Sequence, residues 1–299
     1  MRKALAYASV ILAIGVTSAS TAIAQELTGT LKKIKDSGTI TLGIRESSIP
    51  FSYLDDSQKP IGYSIDLCNK VVDSVKKKLK MPNLKVQMNP VTSQTRIPLM
   101  TNGTIDMECG STTNSVERQK QVAFSVAHFV TSVRMAVKAN SGIKSLSDLN
   151  GKPVVTTSGT TSDRYIKQNE QGKKIDVKNL YGKDHAESFL MLESGRAVAF
   201  VMDDVLLAGL IARSKTPKAF AVVGPALSVE PYGIMMRKDD PQFKKVVDDT
   251  LIGLMKSREI DKIYSKWFTA ATPPKGINMN LPISPKLRDA FKSPTDKGV

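Results

Sequence analysis

The sequence predicts an α/β protein built as two lobes, and three observations predict it. Strand-like and helix-like segments alternate in βαβαβα order through residues 39–119, which argues for a mostly parallel sheet covered by helices. The alternation restarts after a long apolar stretch, HFVTSVRMAVKA (128–139), which has no helix behind it and reads as a crossover into a second unit. Two glycine–hydroxyl stretches, CGSTTNSVERQ (109–119) and TTSGTTSDRY (156–165), each follow a strand, one in each half. Ligands in sheets of this kind sit beyond the carboxyl ends of the strands, and both stretches fall there.

The chain opens with Arg2 and Lys3, an apolar run to about Gly15, and the small residues Ala22-Ile23-Ala24. These features read as an export leader over residues 1–24, cleaved to leave a mature chain from Gln25. The apolar core is too short and too interrupted by Ser and Thr for a membrane span. No cysteine follows the cleavage point, so no membrane anchor is expected. The expectation is an exported, soluble protein.

TITLGIRE (39–46) alternates apolar residues as a strand does. A helix fits 64–79, with Leu67, Val71, Val75 and Leu79 on one stripe and Pro82 beyond its end. LKVQMNPV (84–91) is a strand, QTRIPLMTNG (94–103) a short helix closed by glycine, and TIDMEC (104–109) a third strand. Asn114, with Glu117 three residues on, reads as the cap of the next helix. In the second unit, strands are expected at 152–157, 174–180 and 197–202, and helices at about 162–171, 185–193 and 203–212. PYGIMMRK (231–238) is a second long strand and returns the chain to the first unit. Two helices then run through 246–267, and the proline-rich last thirty residues read as an extended surface tail. The two connections fall near 131–136 and 228–233.

The chain carries 43 basic and 28 acidic residues, a formal charge of +15 that falls to +13 without Arg2 and Lys3. The lysines are scattered as on a solvated surface (Lys76 to Lys78, Lys244, Lys245), and an exported protein meets little nucleic acid, so none is expected as a partner. A basic field does favour small anionic ligands. Cys68 and Cys109 are free to pair in an oxidising compartment if the helix carrying Cys68 crosses the end of the Cys109 strand; the residues leave this open. With only His128 and His185 in the chain, neither cysteine has the partner a nucleophile needs.

Hydroxyls and free backbone N–H groups at a helix start make an anion site. Ser111, Thr112 and Thr113 offer one in the first half, and Gly159, Thr160 and Thr161 in the second. A phosphate loop would need G-x-x-x-x-G-K-[ST], which neither stretch has. Helix capping alone would explain the hydroxyls. Arg118 adds a planar fork suited to a carboxylate. Catalytic signatures are missing: there is no G-x-S-x-G, no H-E-x-x-H, and no cysteine or histidine cluster at metal spacing, so no metal or cofactor is expected.

Several stretches carry a family resemblance: RESSIPFSY (45–53), GYSIDL (62–67), PVTSQTRIPLMTNGTIDMECGSTTNSVERQ (90–119), TTSGTTS (156–162), KDHAESFLMLESGRAVAFVMDD (183–204) and RKDDPQFKK (237–245). Together they resemble the periplasmic solute-binding proteins of amino-acid ABC transporters, in particular the subgroup that takes glutamate and aspartate. The resemblance implies a type II periplasmic binding protein fold, with two Rossmann-like lobes joined by two hinge strands. Residues 25–132 and 230–299 would form lobe 1, and 133–229 lobe 2. Two departures stand out: Ser64 where an acid is common in the wider family, and Ile234 near where the pattern has a cysteine.

The resemblance also implies roles. Arg118 would hold an α-carboxylate with Thr113 and the backbone of Thr160 and Thr161. Ser111 and Asp203 would take the ammonium. Arg45, Arg96, Ser93 and His185 would take a side-chain carboxylate. Three arginines against one aspartate leave a surplus of two positive charges, suited to a ligand of charge −1. Each residue also has a plain structural alternative: Arg45 has Glu46 and Asp66 as possible partners, Arg96 and His185 fit simple helix starts, and Asp203 fits a helix cap. Phe51 and Tyr53 are expected to cover the ligand's methylenes. The implied protein is a monomer in the periplasm that captures L-glutamate or L-aspartate and delivers it to a membrane ABC permease. An enzyme on the same fold, of the cyclohexadienyl dehydratase type, and a chemoreceptor input are the alternatives.

Overall fold

The computed structural model describes residues 26–299; the leader expected over 1–24 lies outside them. The chain begins with α1 (Gly29–Ser37), β1 (Thr39–Ile44), the small strands β2 (Ser47–Ser48), β3 (Ser52–Leu54) and β4 (Pro60–Ile61), and α2 (Tyr63–Leu79). It continues through β5 (Lys85–Pro90), α3 (Arg96–Thr101), β6 (Met107–Cys109), α4 (Val116–Gln119), β7 (Val122–Phe124) and β8 (Phe129–Thr131). The second unit holds β9 (Val133–Lys138), β10 (Pro153–Thr157), α5 (Thr161–Gln171), β11 (Lys178–Gly182), α6 (His185–Glu193), β12 (Ala199–Asp203), α7 (Asp204–Arg213) and β13 (Phe220–Val223). β14 (Glu230–Tyr232), β15 (Met235–Arg237), α8 (Pro241–Lys256), α9 (Glu259–Phe268) and α10 (Pro285–Lys292) complete the chain.

The two large sheets repeat one plan, which makes the molecule two-lobed. The first runs β5-β1-β6-β15-β7 and the second β11-β10-β12-β9-β13. In each, four strands run in one direction and a single strand, β15 in the first sheet and β9 in the second, runs antiparallel between its two neighbours. In each sheet one strand (β1, β10) lies between the next two parallel strands, β5 and β6 or β11 and β12. Adjacent crossovers therefore leave in opposite directions and open a crevice at the carboxyl ends. The stripe Leu67, Val71, Val75 and Leu79 is buried, so α2 packs as its period predicts. α2 also crosses the end of β6, and Cys68 and Cys109 are joined in a disulfide.

The structure corrects several sequence expectations. Each long apolar stretch is two short strands. Residues 128–139 break at Ser132, with β8 pairing β14 and β9 joining the second sheet. Residues 231–238 break at Gly233 and Ile234 in the same way. The first break is where the chain passes into the second sheet and the second is where β14, paired with β8, gives way to β15 of the first sheet, so each apolar run serves two sheets. The cap before α4 is Ser115, whose hydroxyl accepts from the Arg118 N–H, while Asn114 bonds the C-terminal tail instead. β11 starts at Lys178, where its pairing with Pro153 of β10 begins, four residues later than the apolar pattern suggests. α8 starts earlier than expected, with Asp240 as its cap and Pro241 at the first helical position. The tail is not wholly extended: Ser284 and Pro285 start α10, which buries Leu287 and Phe291.

Candidate ligand-binding site

Six strand ends converge between the lobes. β1 delivers Arg45, β5 leads to Ser93 and Arg96, and β6 leads to Ser111, Thr113 and Arg118. From the second lobe, β10 leads to Thr160 and Thr161, β11 to His185, and β12 ends on Asp203. Nine of the ten expected residues line one small, nearly closed cavity. Arg45 is the exception: it is not on the wall, but its Nη2 donates to Ser93 Oγ at 3.0 Å and lies 3.5 Å from His185 Nε2, and both of those residues are. The tenth wall residue is Met202, the one apolar side chain there. A larger groove of about 980 Å³, lined by residues of β8, α7 and the tail, lies apart from these residues.

The arginines sit in a dry, crowded setting. Arg118 Nη1 donates to the Thr113 carbonyl at 2.9 Å and Nη2 to the Gly159 carbonyl at 3.2 Å, so one guanidinium touches both lobes. Gly159 makes that approach possible: its φ is +79°, and a Cβ there would stand 2.8 Å from the Gln94 backbone across the crevice. Arg96 Nη1 donates to Thr112 Oγ1 at 2.5 Å, and Thr112 Oγ1 donates to Glu108 Oε2 at 2.6 Å. Burial, followed by Arg96, lowers Arg45 to about 10, and burial with Arg96 and Arg164 lowers Arg118 to about 9. Both stay charged at neutral pH. Burial and then the two arginines hold His185 well below its usual range, so it is a neutral ring, with Nδ1 3.0 Å from Thr157 Oγ1.

Asp203 stands at the start of α7 but makes no cap bond. Its Oδ2 accepts from the Tyr232 hydroxyl, and its Oδ1 is buried without a partner. Burial and then Glu230 push its carboxyl up to about 8. Arg45 Nη1, Arg96 Nε, Ser111 Oγ and Glu108 Oε1 are also buried and unpartnered. Of the eight such atoms among the described residues, five therefore belong to this cluster. An unpaired buried polar atom costs about 1–3 kcal/mol, so their concentration marks a place built for a polar guest.

Sequence reasoning missed two acids. Glu108 is fully buried beside Arg45 and Arg96, and Glu230 is 3% exposed, accepting from Thr161 Oγ1 at 2.9 Å. The surplus of two positive charges is thus corrected. Three guanidiniums against these two carboxylates leave one positive charge before Asp203 is counted. The apolar spacing that revealed β6 also hid Glu108, which occupies a strand position with no polar neighbour to flag it. Phe51 and Tyr53 do not line the cavity either. Phe51 packs in an aromatic cluster 4.8 Å from Phe129 and 5.1 Å from Tyr232, and Tyr53 donates to the Pro273 carbonyl. Arg45 pairs with neither Glu46 nor Asp66; Asp66 instead accepts from Lys266 and Trp267.

Comparison with known proteins agrees with this architecture. Residues 40–270 match the family model of bacterial extracellular solute-binding proteins, family 3. The chain is 57% identical over 278 residues to an L-glutamate/L-aspartate-binding protein of Pseudomonas aeruginosa, covering 93% of this chain and 92% of that one. It is 49% identical over 298 residues to a glutamate/aspartate import solute-binding protein of Escherichia coli, covering all of this chain and 98% of that one. Among solved structures it is similar to a cysteine-binding protein of Campylobacter jejuni, with a TM-score of 0.72 at 27% identity over 80% of this chain and 93% of the other. The chain belongs to family 3 of the bacterial extracellular solute-binding proteins.

Proposed function

We propose that this protein captures L-glutamate or L-aspartate in the periplasm, as a monomer, and hands it to a membrane ABC permease. The observation that carries the reading is the cluster of orphaned polar atoms: Arg96 Nε and an Asp203 carboxylate oxygen on residues of the cavity wall, with Arg45 Nη1 behind them. An acidic amino acid brings two carboxylates and one ammonium, the complement of that set. Arg118 and Thr113, with the start of α5 at Thr160 and Thr161, take the α-carboxylate. Asp203 and Ser111 take the ammonium. Arg96, Ser93 and His185, backed by Arg45, take the side-chain carboxylate, and Met202 covers the methylenes. The names of the Pseudomonas and Escherichia relatives support the same ligand pair. Calorimetry of the refolded, ligand-stripped protein against Glu, Asp, Gln, Asn and Arg tests it. Binding of Glu or Asp well above the other three is the expected result, and tighter binding of Gln or Arg would overturn it.

Residues 25–132 with 230–299 act as one lobe and 133–229 as the other, hinged where β8 passes to β9 and where the chain returns through β14. The ligand touches both lobes, so it favours the closed arrangement over the open one. Small-angle scattering should give a smaller radius of gyration with glutamate than without. An unchanged profile would count against the hinge.

Capture is also proton-linked. In the closed site without ligand, Asp203, at about 8, holds a proton at neutral pH. An ammonium against Oδ1 favours the ionised form, so binding releases that proton. Below about pH 8 the closed site is protonated at Asp203 when empty and not when the ammonium is bound. Affinity therefore rises with pH by up to about tenfold per unit and levels off above about 8. Calorimetry in buffers of different ionisation heat reads the release directly. Proton uptake, or an affinity flat from about pH 6 to 8, would remove Asp203 from the ammonium site.

A further inference from the structure

The family match ends at residue 270, yet the chain beyond it returns to the edge of the ligand cavity. After α10 the backbone runs along the loop that carries Thr113 and Arg118. Asn114 Nδ2 and Gln119 Nε2 both donate to the Asp296 carbonyl, at 2.8 and 2.9 Å. The Val116 N–H donates to the Val299 carbonyl at 2.9 Å, and the Val299 N–H donates back to the Asn114 carbonyl at 3.2 Å. The Ala127 N–H donates to the Thr295 carbonyl at 2.9 Å, and Lys244 Nζ meets Asp296 Oδ2 at 2.9 Å. Gly298 lies so close that a Cβ there would stand 2.9 Å from the Val116 nitrogen.

These bonds brace the shortest helix of the site. α4 is four residues long, a single turn, and short helices are marginal without tertiary support. Arg118 is on that turn, and Asn114 directly follows Thr113. The Val116 N–H is at the first helical position, where no carbonyl of the helix is in reach, and the tail supplies the acceptor. The tail end also reaches the second lobe: Val299 shares a surface groove with Ser115, Thr161 and Arg164.

We propose that residues 294–299 are a positioning strap, which holds the Asn114–Gln119 turn so that Arg118 and Thr113 stand ready for the α-carboxylate. Ligand capture in this chain then depends on a segment outside the matched family module. The inference rests on the site reading above, in which Arg118 holds the α-carboxylate.

Three variants of the full chain test it: Gly298→Val, which pushes the tail away; the pair Asn114→Ala and Gln119→Ala, which removes both side-chain bonds to Asp296; and a stop after Ser293. Each should weaken glutamate about tenfold and speed amide exchange across 111–119. The unliganded unfolding midpoint should stay within a few degrees, because α10 and its buried Leu287 and Phe291 are untouched. In an Arg118→Lys background the same changes should cost much less, since the strap acts through Arg118. Equal losses in both backgrounds, or unchanged affinity with unchanged exchange, would overturn the strap. If the unmodified protein binds no glutamate, the ligand assignment is what fails. The exchange rates at 111–119 then decide the strap alone, faster exchange supporting it and unchanged exchange ending it.

Discussion

Replacing Arg118 with alanine should weaken every α-amino-acid ligand by about 3–5 kcal/mol, the loss typical when one partner of a buried charge pair is removed. The geometry argues for the upper part of that range. Arg118 is 7% exposed and bonds a carbonyl from each lobe, so its loss removes both the carboxylate's partner and a link that favours closure. Asp203→Asn should act on the same scale from the other end of the cavity. Asparagine still accepts from the Tyr232 hydroxyl, so the fold is spared, but it offers the ammonium no charge. Both variants should weaken glutamate and glutamine about equally, because each holds a group that the two ligands share. If Asp203→Asn binds glutamate normally, Asp203 only marks the start of α7.

Much of the fold was legible because its elements carry a period. α2 shows its buried stripe directly, and β1, β5, β10 and β12 read from apolar alternation and flanking turns. α1 (GTLKKIKDS) was missed because its buried face is only Thr30, Leu31 and Ile34 between lysines. β7 and β13 are too short to show a period, and both sit beside antiparallel strands that the βαβ rhythm does not announce. The aromatic residues show a different limit. Phe51 was expected over the ligand's methylenes, and its neighbours are instead Phe129 and Tyr232 of the paired strands β8 and β14, which no local pattern places beside it.

The candidate site was legible as two hydroxyl loops and Arg118, and the remaining residues only through the family resemblance. Six separate strand ends contribute to it, and only the strand order of the two sheets brings them together. The acids behind the arginines were hidden for a related reason. Glu230 meets Thr161 at the start of α5, a link that no sequence spacing announces, and Glu108 meets Thr112 only because the loop after β6 folds back on the strand. Their presence changes the electrostatic account. In the proposed reading, preference for an anionic side chain depends less on a bulk excess of positive charge than on which guanidinium faces the cavity.

That distinction sets the expected difference between the two distal arginines. Arg45→Met and Arg96→Met each keep an unbranched stem while removing a charge-assisted donor from a dry pocket. Glutamate and aspartate should lose on the order of 10²-fold or more, where ~1.4 kcal/mol is a factor of ten. Glutamine, with a neutral amide end, should lose far less. Arg96→Met should be the more severe of the two. Arg96 is on the wall and holds Thr112, which in turn bonds Glu108, so its removal also leaves that buried carboxylate with less compensation. Arg45 works from behind Ser93 and His185, so Arg45→Met should leave more residual selectivity. The glutamate-to-glutamine affinity ratio is the measurement that matters, because a folding defect weakens both ligands together. If either substitution lowers the two affinities in parallel, that arginine is structural, and a side-chain carboxylate no longer has its assigned partner.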